Sequence, residues 1–369
     1  MKKTVALLLM ALLLLTTSCV NLNFNINMDT DGTEKDSQPE NSIEFWAEDS
    51  PAMQSIVAFV NEVCDEKSDK YVPAEERVAV FDSDGTLYGE LFPTYFDQCL
   101  MMHRLLRDDD YKAAAEDKAF AQELETALLT GQSEPKSPRS TGQITTESFK
   151  GFTVEEYRAY IRNFMSQPAV GFEGMTYGQG AFKPMVALVK YLVKHDFMVY
   201  IVSGAETNLL RELWQDELGE WIPPYRVIGS TISLVATGQG DKAPRDYNLT
   251  SKDKVVIGGD MTYKSLKMGK VQNIINQIGL APTLAFGNSS GDFAMGEYAV
   301  RNGGKAYMLL CDDTERDHGD AAKAEKFAKD CAKWGFETVS MKDEFTTIYG
   351  DNVKMVPFTA QEQALQPAA

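Results

Sequence analysis

The sequence predicts a doubly wound α/β fold: a parallel sheet covered by helices on both faces, with a helical cap inserted after the first strand. Apolar runs of strand length alternate with helix-length segments, the pattern of βαβ units. The first of these runs, in the stretch VAVFDSDGTLYGE at 78–90, stops abruptly at two carboxylates. The long interval between the first two runs holds helical periodicity and no convincing strand.

The elements follow in chain order. Residues 55–63 have helical periodicity and 77–81 form the first strand. Segments 95–107, 111–129 and 154–165 read as cap helices, with the polar stretch 131–142 as a loop between them. A helix at 185–194 leads to a strand at 197–202, and a hairpin is expected at 230–257, where 231–237 alternates and Gly238-Gln239-Gly240 can turn. A helix at 271–278 precedes the strand 283–286, and 305–310, 321–334 and 336–341 repeat strand, helix and strand. These assignments give a core of 44–90 and 176–350, a cap of 91–175 and a tail of 351–369.

With 369 residues and 44% hydrophobic content the chain can bury a large core. Its net charge of −18 repels nucleic acid and anionic membrane surfaces, so neither is expected as a partner. An anionic ligand would need positive charge placed locally or brought by a metal. The N-terminus, MKKTVALLLMALLLLTTSC, sets an apolar run at 5–15 behind two lysines. That run is shorter than the ~20 residues of a bilayer span and suits the centre of a secretory signal at 1–18. Its end resembles a bacterial lipobox with Cys19 as the lipidated residue, although Thr16 stands where Leu is usual, which leaves ordinary cleavage nearby open. The expected location is the bacterial cell envelope, with the membrane met only through this anchor, and 19–43 reads as a solvated tether. Cys64, Cys99, Cys311 and Cys331 remain, matching no zinc spacing; pairing, with Cys311 and Cys331 as neighbours, and four free thiols are both open.

Three predicted strands end in polar residues: Asp82-Ser83-Asp84-Gly85-Thr86, Ser203-Gly204, and Gly287-Asn288-Ser289-Ser290-Gly291-Asp292. Parallel strands of one sheet share an end, so the three groups can meet in one crevice. Lys270, upstream of the third strand, can reach the same place, with Lys264 and Lys267 close by as competitors. Asp-Gly is also a common turn dipeptide, so the first group alone is open to a turn reading. Asp260, in VVIGGD, is set aside because the 287–292 group has the better preceding helix and lies downstream of Lys270.

Together these residues resemble the haloacid dehalogenase superfamily, in particular its Asp-x-Asp phosphatase branch with a helical cap, similar to phosphoserine phosphatases. DSDGTL after an apolar strand is the specific part; Ser203 and Lys270 gain weight from their order. The resemblance implies an aspartyl-phosphate mechanism on small phosphomonoesters. Asp82 would be nucleophile, Asp84 general acid and base, and Ser203, Gly204 and Lys270 phosphoryl ligands. It implies Mg²⁺ held by Asp82, the Asp84 carbonyl and residue 288, with Asp292 as a ligand or as support for Lys270 or a metal-bound water. Asn288 stands where that pattern has aspartate, one negative charge fewer for the metal. Glu90 occupies a position where similar phosphatases carry an acid toward the substrate's amine; a solvated cap residue is the alternative. Two other functions remain in view. A dehalogenase of the superfamily would lack the second aspartate, which is present as Asp84. A phosphate- or metal-binding surface lipoprotein without turnover would be favoured by Asn288.

Overall fold

The structure is a computed structural model and describes residues 42–358; the signal, Cys19, the tether up to residue 41 and the end of the tail lie outside the described residues. Seven strands form the main sheet in the order β5-β4-β3-β1-β6-β7-β8. They are β1 (Val78–Phe81), β3 (Met198–Glu206), β4 (Val227–Ala236), β5 (Val255–Tyr263), β6 (Leu284–Gly287), β7 (Lys305–Leu310) and β8 (Glu337–Ser340). All neighbouring pairs are parallel except β4 with β5. A separate short ribbon pairs β2 (Phe172–Glu173) with β9 (Lys354–Met355).

The central strand explains the layering. Every residue of β1 is buried, and side chains alternate between faces. Ala79 and Phe81 enter the larger core with α1 (Pro51–Cys64) and α6 (Lys183–Lys194), while Val78 and Val80 enter a second core. That second core is covered by α9 (Met268–Asn273), α10 (Phe293–Arg301) and α11 (Ala321–Trp334), through Met295, Ala299 and Cys331 and through Ile274, which follows α9. Phe81 stacks on Phe286 at 4.3 Å between ring centroids, and Phe286 on Tyr307 at 5.4 Å, an aromatic row across three strands just beneath their tips.

Between β1 and β2 lie α2 (Phe96–Leu106), α3 (Ala115–Thr130), α4 (Thr141–Ser148) and α5 (Val154–Met165). Helix α4 falls where the sequence predicts only the end of a loop; Ser140 and Gln143 form a capping box that starts it. The hairpin differs from expectation in its turn. Strand β4 first pairs parallel to β3, shifts register, and then pairs antiparallel to β5, which begins only at Val255. Gly238-Gln239-Gly240 opens a long excursion in place of a tight turn, because Asp253 gathers Gly238, Tyr247 and Thr250 by hydrogen bonds of 2.7–2.9 Å. The hairpin also holds the cap: Gly151 N donates to Ile257 O and Ile257 N to Phe152 O, both at 2.8 Å. Cys64, Cys99, Cys311 and Cys331 are all free thiols.

Candidate active site

Register brings the predicted groups together. Phe81 lies opposite both Ile201 and Phe286, so Asp82, Ser203 and Asn288 follow at one edge of the sheet, and Asp82 N donates to Phe286 O at 2.9 Å. The loop after β1 is a tight turn in which Ser83 O accepts from the amides of Thr86, Leu87 and Tyr88 at 2.8–3.1 Å. Gly85 has φ of +70°, which favours glycine, and Trp214 Nε1 anchors the loop by donating to Ser83 Oγ at 3.1 Å.

At the base of this edge, Lys270 is fully buried, as is Asp292. Lys270 Nζ stands 2.6 Å from Asp292 Oδ1 and 2.6 Å from Asp82 Oδ1; the contact to Asp82 is an ion pair outside hydrogen-bond alignment. Asp292 Oδ2 accepts from the amides of Asn288 and Ser289 at 3.1 Å and from Ser289 Oγ at 3.2 Å. Both oxygens of Asp292 are therefore engaged in placing the lysine and the 288–292 loop. Burial tends to discharge the Lys270 ammonium, but Asp292 and Asp82 outweigh it and hold its pKa above the ordinary value. Burial, then Asp292, pushes Asp82 up to about 6, with Lys270 pulling the other way.

Around the rim the acids crowd. Burial first, then Asp97, Asp82 and Glu90, hold the Asp84 carboxyl well above its usual range, with Lys270 pulling the other way. Burial raises Glu90 to about 7 against a hydrogen bond from Asn288. Asp97, in the first turn of α2, is raised by burial and pulled back by Lys264. Lys264 Nζ donates to Gly204 O at 2.8 Å, and Ser230 Oγ donates to the same carbonyl at 2.7 Å. Ser203 is buried, and its Oγ accepts from Ala205 N at 3.2 Å, which leaves its hydroxyl proton for another partner. Tyr95 stands exposed beside these acids, its hydroxyl pKa raised chiefly by Glu90.

Asp82, Asp84, Ser203, Lys270, Asn288 and Asp292 thus meet at one sheet edge, with Glu90 against Asn288 in place of open solvent. Lys267, which competes with Lys270 in the sequence, serves the backbone, its amide donating to Gly291 O at 3.0 Å. Asp260 is exposed on β5. Sequence reasoning missed Asp97, Trp214 and Asp317. Asp317, on the loop after β7, is buried beside Glu90, and its pKa rises to about 7 through burial.

No family model and no curated protein matches the chain. Solved structures do. A conserved protein of unknown function from Anaerococcus prevotii shares 14% identity at a TM-score of 0.46, over 77% of this chain and 91% of its own. Cytosolic 5'-nucleotidase IIIB, bound to cytidine, shares 10% identity at 0.46 over 80% and 88%. A phosphoserine phosphohydrolase-like protein from Francisella tularensis shares 15% at 0.37 over 68% and 92%. Phosphoserine phosphatases and hydrolases of the HAD family are also among the matches. At such identities and TM-scores these likenesses carry nothing about chemistry, which rests on the residues of the site.

Those residues suit a hard cation. Asp82, Asp84 and Asn288 present carboxylate, main-chain and amide oxygens at adjoining strand ends, the donor chemistry of Mg²⁺. The half-buried Asp82 and Asp84 feel one buried ammonium, Lys270, already divided with Asp292, and Glu90 adds a further carboxyl beside Asp82. Among the described residues no three His, Cys, Asp or Glu side chains form a ligand group, so amide, main-chain and water oxygens would complete the set. A cavity of about 330 Å³ lies elsewhere, in the cap, lined by Met102, His103, Leu129 and Phe164.

Proposed function

We propose that the chain is a phosphomonoester hydrolase working through an aspartyl-phosphate on Asp82. The observation that carries this reading is the Asp82–Lys270–Asp292 assembly, with both contacts of the buried lysine at 2.6 Å and a second carboxyl, Asp84, two residues from the nucleophile. Asp82, the Asp84 carbonyl and Asn288 would hold Mg²⁺, which would supply positive charge against the phosphoryl oxygens.

The protein's own groups account for the steps. Asp82 attacks phosphorus as a carboxylate while Lys270, fixed by Asp292, offsets phosphoryl charge at a set position. Ser203 donates its free hydroxyl proton to a phosphoryl oxygen. Asp84 gives its proton to the leaving oxygen as the P–O bond breaks and Asp82 takes the phosphoryl group. The resulting Asp84 carboxylate then removes a proton from water, which attacks phosphorus, releases inorganic phosphate and returns Asp82 to its carboxylate. Lys264 and Asp97, facing each other where the cap meets the strand ends, border the leaving group. Small phosphorylated metabolites are the substrate class, and the enzyme acts in the cell envelope, anchored through Cys19.

Hydrolysis of p-nitrophenyl phosphate, with Mg²⁺ and with a chelator, tests the reading beside Asp82→Asn. Metal-dependent turnover that disappears in Asp82→Asn is expected. Equal inactivity of both proteins on a panel of phosphomonoesters with several divalent ions would sink it and favour a binding protein.

A further inference from the structure

Asn288 is held at both ends of its amide. Its Oδ1 accepts from Thr86 Oγ1 at 3.2 Å, and its nitrogen and the Glu90 carboxylate meet over Gly85. Which end is which follows from the contacts: the Thr86 hydroxyl takes Oδ1, so the NH₂, a donor only, is the end beside Glu90 Oε2. Both groups press on Gly85. A Cβ there would lie 1.9 Å from Asn288 Nδ2 and 2.7 Å from Glu90 Oε2. Thr86 is fully buried and tied to Ser83 O through its amide at 3.1 Å, so the other end of the clamp is also fixed.

This geometry bears on the aspartate that residue 288 lacks. An aspartate in the same place would set carboxylate against carboxylate across the Gly85 turn, with no donor between them. The two positions are coupled: an acid at 90 requires a donor at 288. We propose that Glu90 and Asn288 act as one unit in which Glu90 brings the negative charge of the cation site and Asn288, through its nitrogen, holds that charge in place. Asn288 Oδ1 keeps one lone pair beyond the Thr86 bond for the cation itself. Glu90 is then a positioning residue for the cation and is not the group that greets a substrate amine. The inference rests on the phosphatase reading for the identity of the cation, and on the Thr86–Asn288–Glu90 chain for the pairing.

The unit predicts an unusual pattern of substitutions. Asn288→Asp, which supplies the residue expected from the motif, weakens Mg²⁺ binding by about tenfold or more, because it repels Glu90. Glu90→Gln weakens it to a similar degree by removing the charge. The double variant Asn288→Asp with Glu90→Gln has the same two groups exchanged, and binds Mg²⁺ within about threefold of the unaltered protein. Asn288→Ala serves as a neutral comparison and weakens binding without adding charge.

The measurement is calorimetric titration of Mg²⁺, with the Mn²⁺ electron paramagnetic resonance signal as a second readout, on the full chain without substrate. Thermal melting of each variant confirms folding, and the double variant carries the test if one single variant fails to fold. Rescue in the double variant supports the unit. Tighter binding in Asn288→Asp with unchanged binding in Glu90→Gln overturns it and leaves the phosphatase reading intact. A double variant that binds no better than its parents also overturns it. If the unaltered protein binds neither ion, the unit and the cation assignment fall together, while p-nitrophenyl phosphate turnover still decides the phosphatase reading separately.

Discussion

Asp317 offers the sharpest test of how this site stores negative charge. It is 1% exposed; its Oδ1 accepts from His318 N at 2.9 Å, while Oδ2 is buried without an aligned hydrogen bond. The Tyr349 hydroxyl beside it also lacks an aligned partner. Burial raises the carboxyl from 3.8 to about 7 in the folded protein. Between those values the native state binds the proton and the unfolded chain does not, so stability from this group is present below about pH 4 and is lost as pH rises to about 7. A shift of about three units at 1.36 kcal/mol each makes ionised Asp317 destabilising by up to roughly 4 kcal/mol at pH 8. Asp317→Asn keeps the shape and the acceptor for His318 N, adds a donor toward Tyr349, and carries no charge. Urea unfolding with a chelator present should show it equal to the unaltered protein at pH 4, and more stable at pH 8 by a sizeable part of that figure. Destabilisation of the same size at both pH values would refute the reasoning, because it would mean that ionised Asp317 has a favourable partner.

Two further expectations are simpler to check. Gly85→Ala should abolish phosphatase activity and lower the melting temperature, since its Cβ would meet Asn288 Nδ2 at 1.9 Å in a backbone conformation with φ of +70°; near-normal turnover would show that the clamp gives way freely. For the proposed anchor, cells given labelled palmitate should label the intact chain and leave Cys19→Ala unlabelled, whereas equal labelling of both would remove Cys19 from the account.

What could be read from the sequence was local. VAVF followed by DSDGT combines strand pattern and turn chemistry within a few residues, and the structure places it as the central strand with its acids at the tip. The helix expected at 154–165 has those bounds because Thr153 and Glu156 cap it reciprocally. An equivalent signal, Ser140 with Gln143, precedes the overlooked α4, where a run of Gly and Thr hides the helical pattern. The position of Asp97 had no such signal. It reaches the site because the hairpin β4–β5 docks on the cap and turns Lys264 toward it, an arrangement set by long-range pairing. Trp214 and Asp317 arrive in the same way, from chain segments far from the Ser83 and Glu90 they meet.

Asn288 lies between these two cases. That it departs from the motif is evident from one position; why it departs depends on Glu90, which the fold brings against it across Gly85. A residue read alone as the loss of a metal ligand becomes, under the proposed pairing, the donor beside a half-buried carboxylate. The charge required at the site is a property of the pair, so neither position has a fixed best residue until the other is specified. The same logic explains why Asp292 is acid and buried: its two oxygens are matched by Lys270 and the loop amides, whereas an acid at 288 would find Glu90. Motif positions in this fold are therefore best compared as contacting groups, with the donor and acceptor count of each contact deciding whether a departure removes a function or moves it to the neighbour.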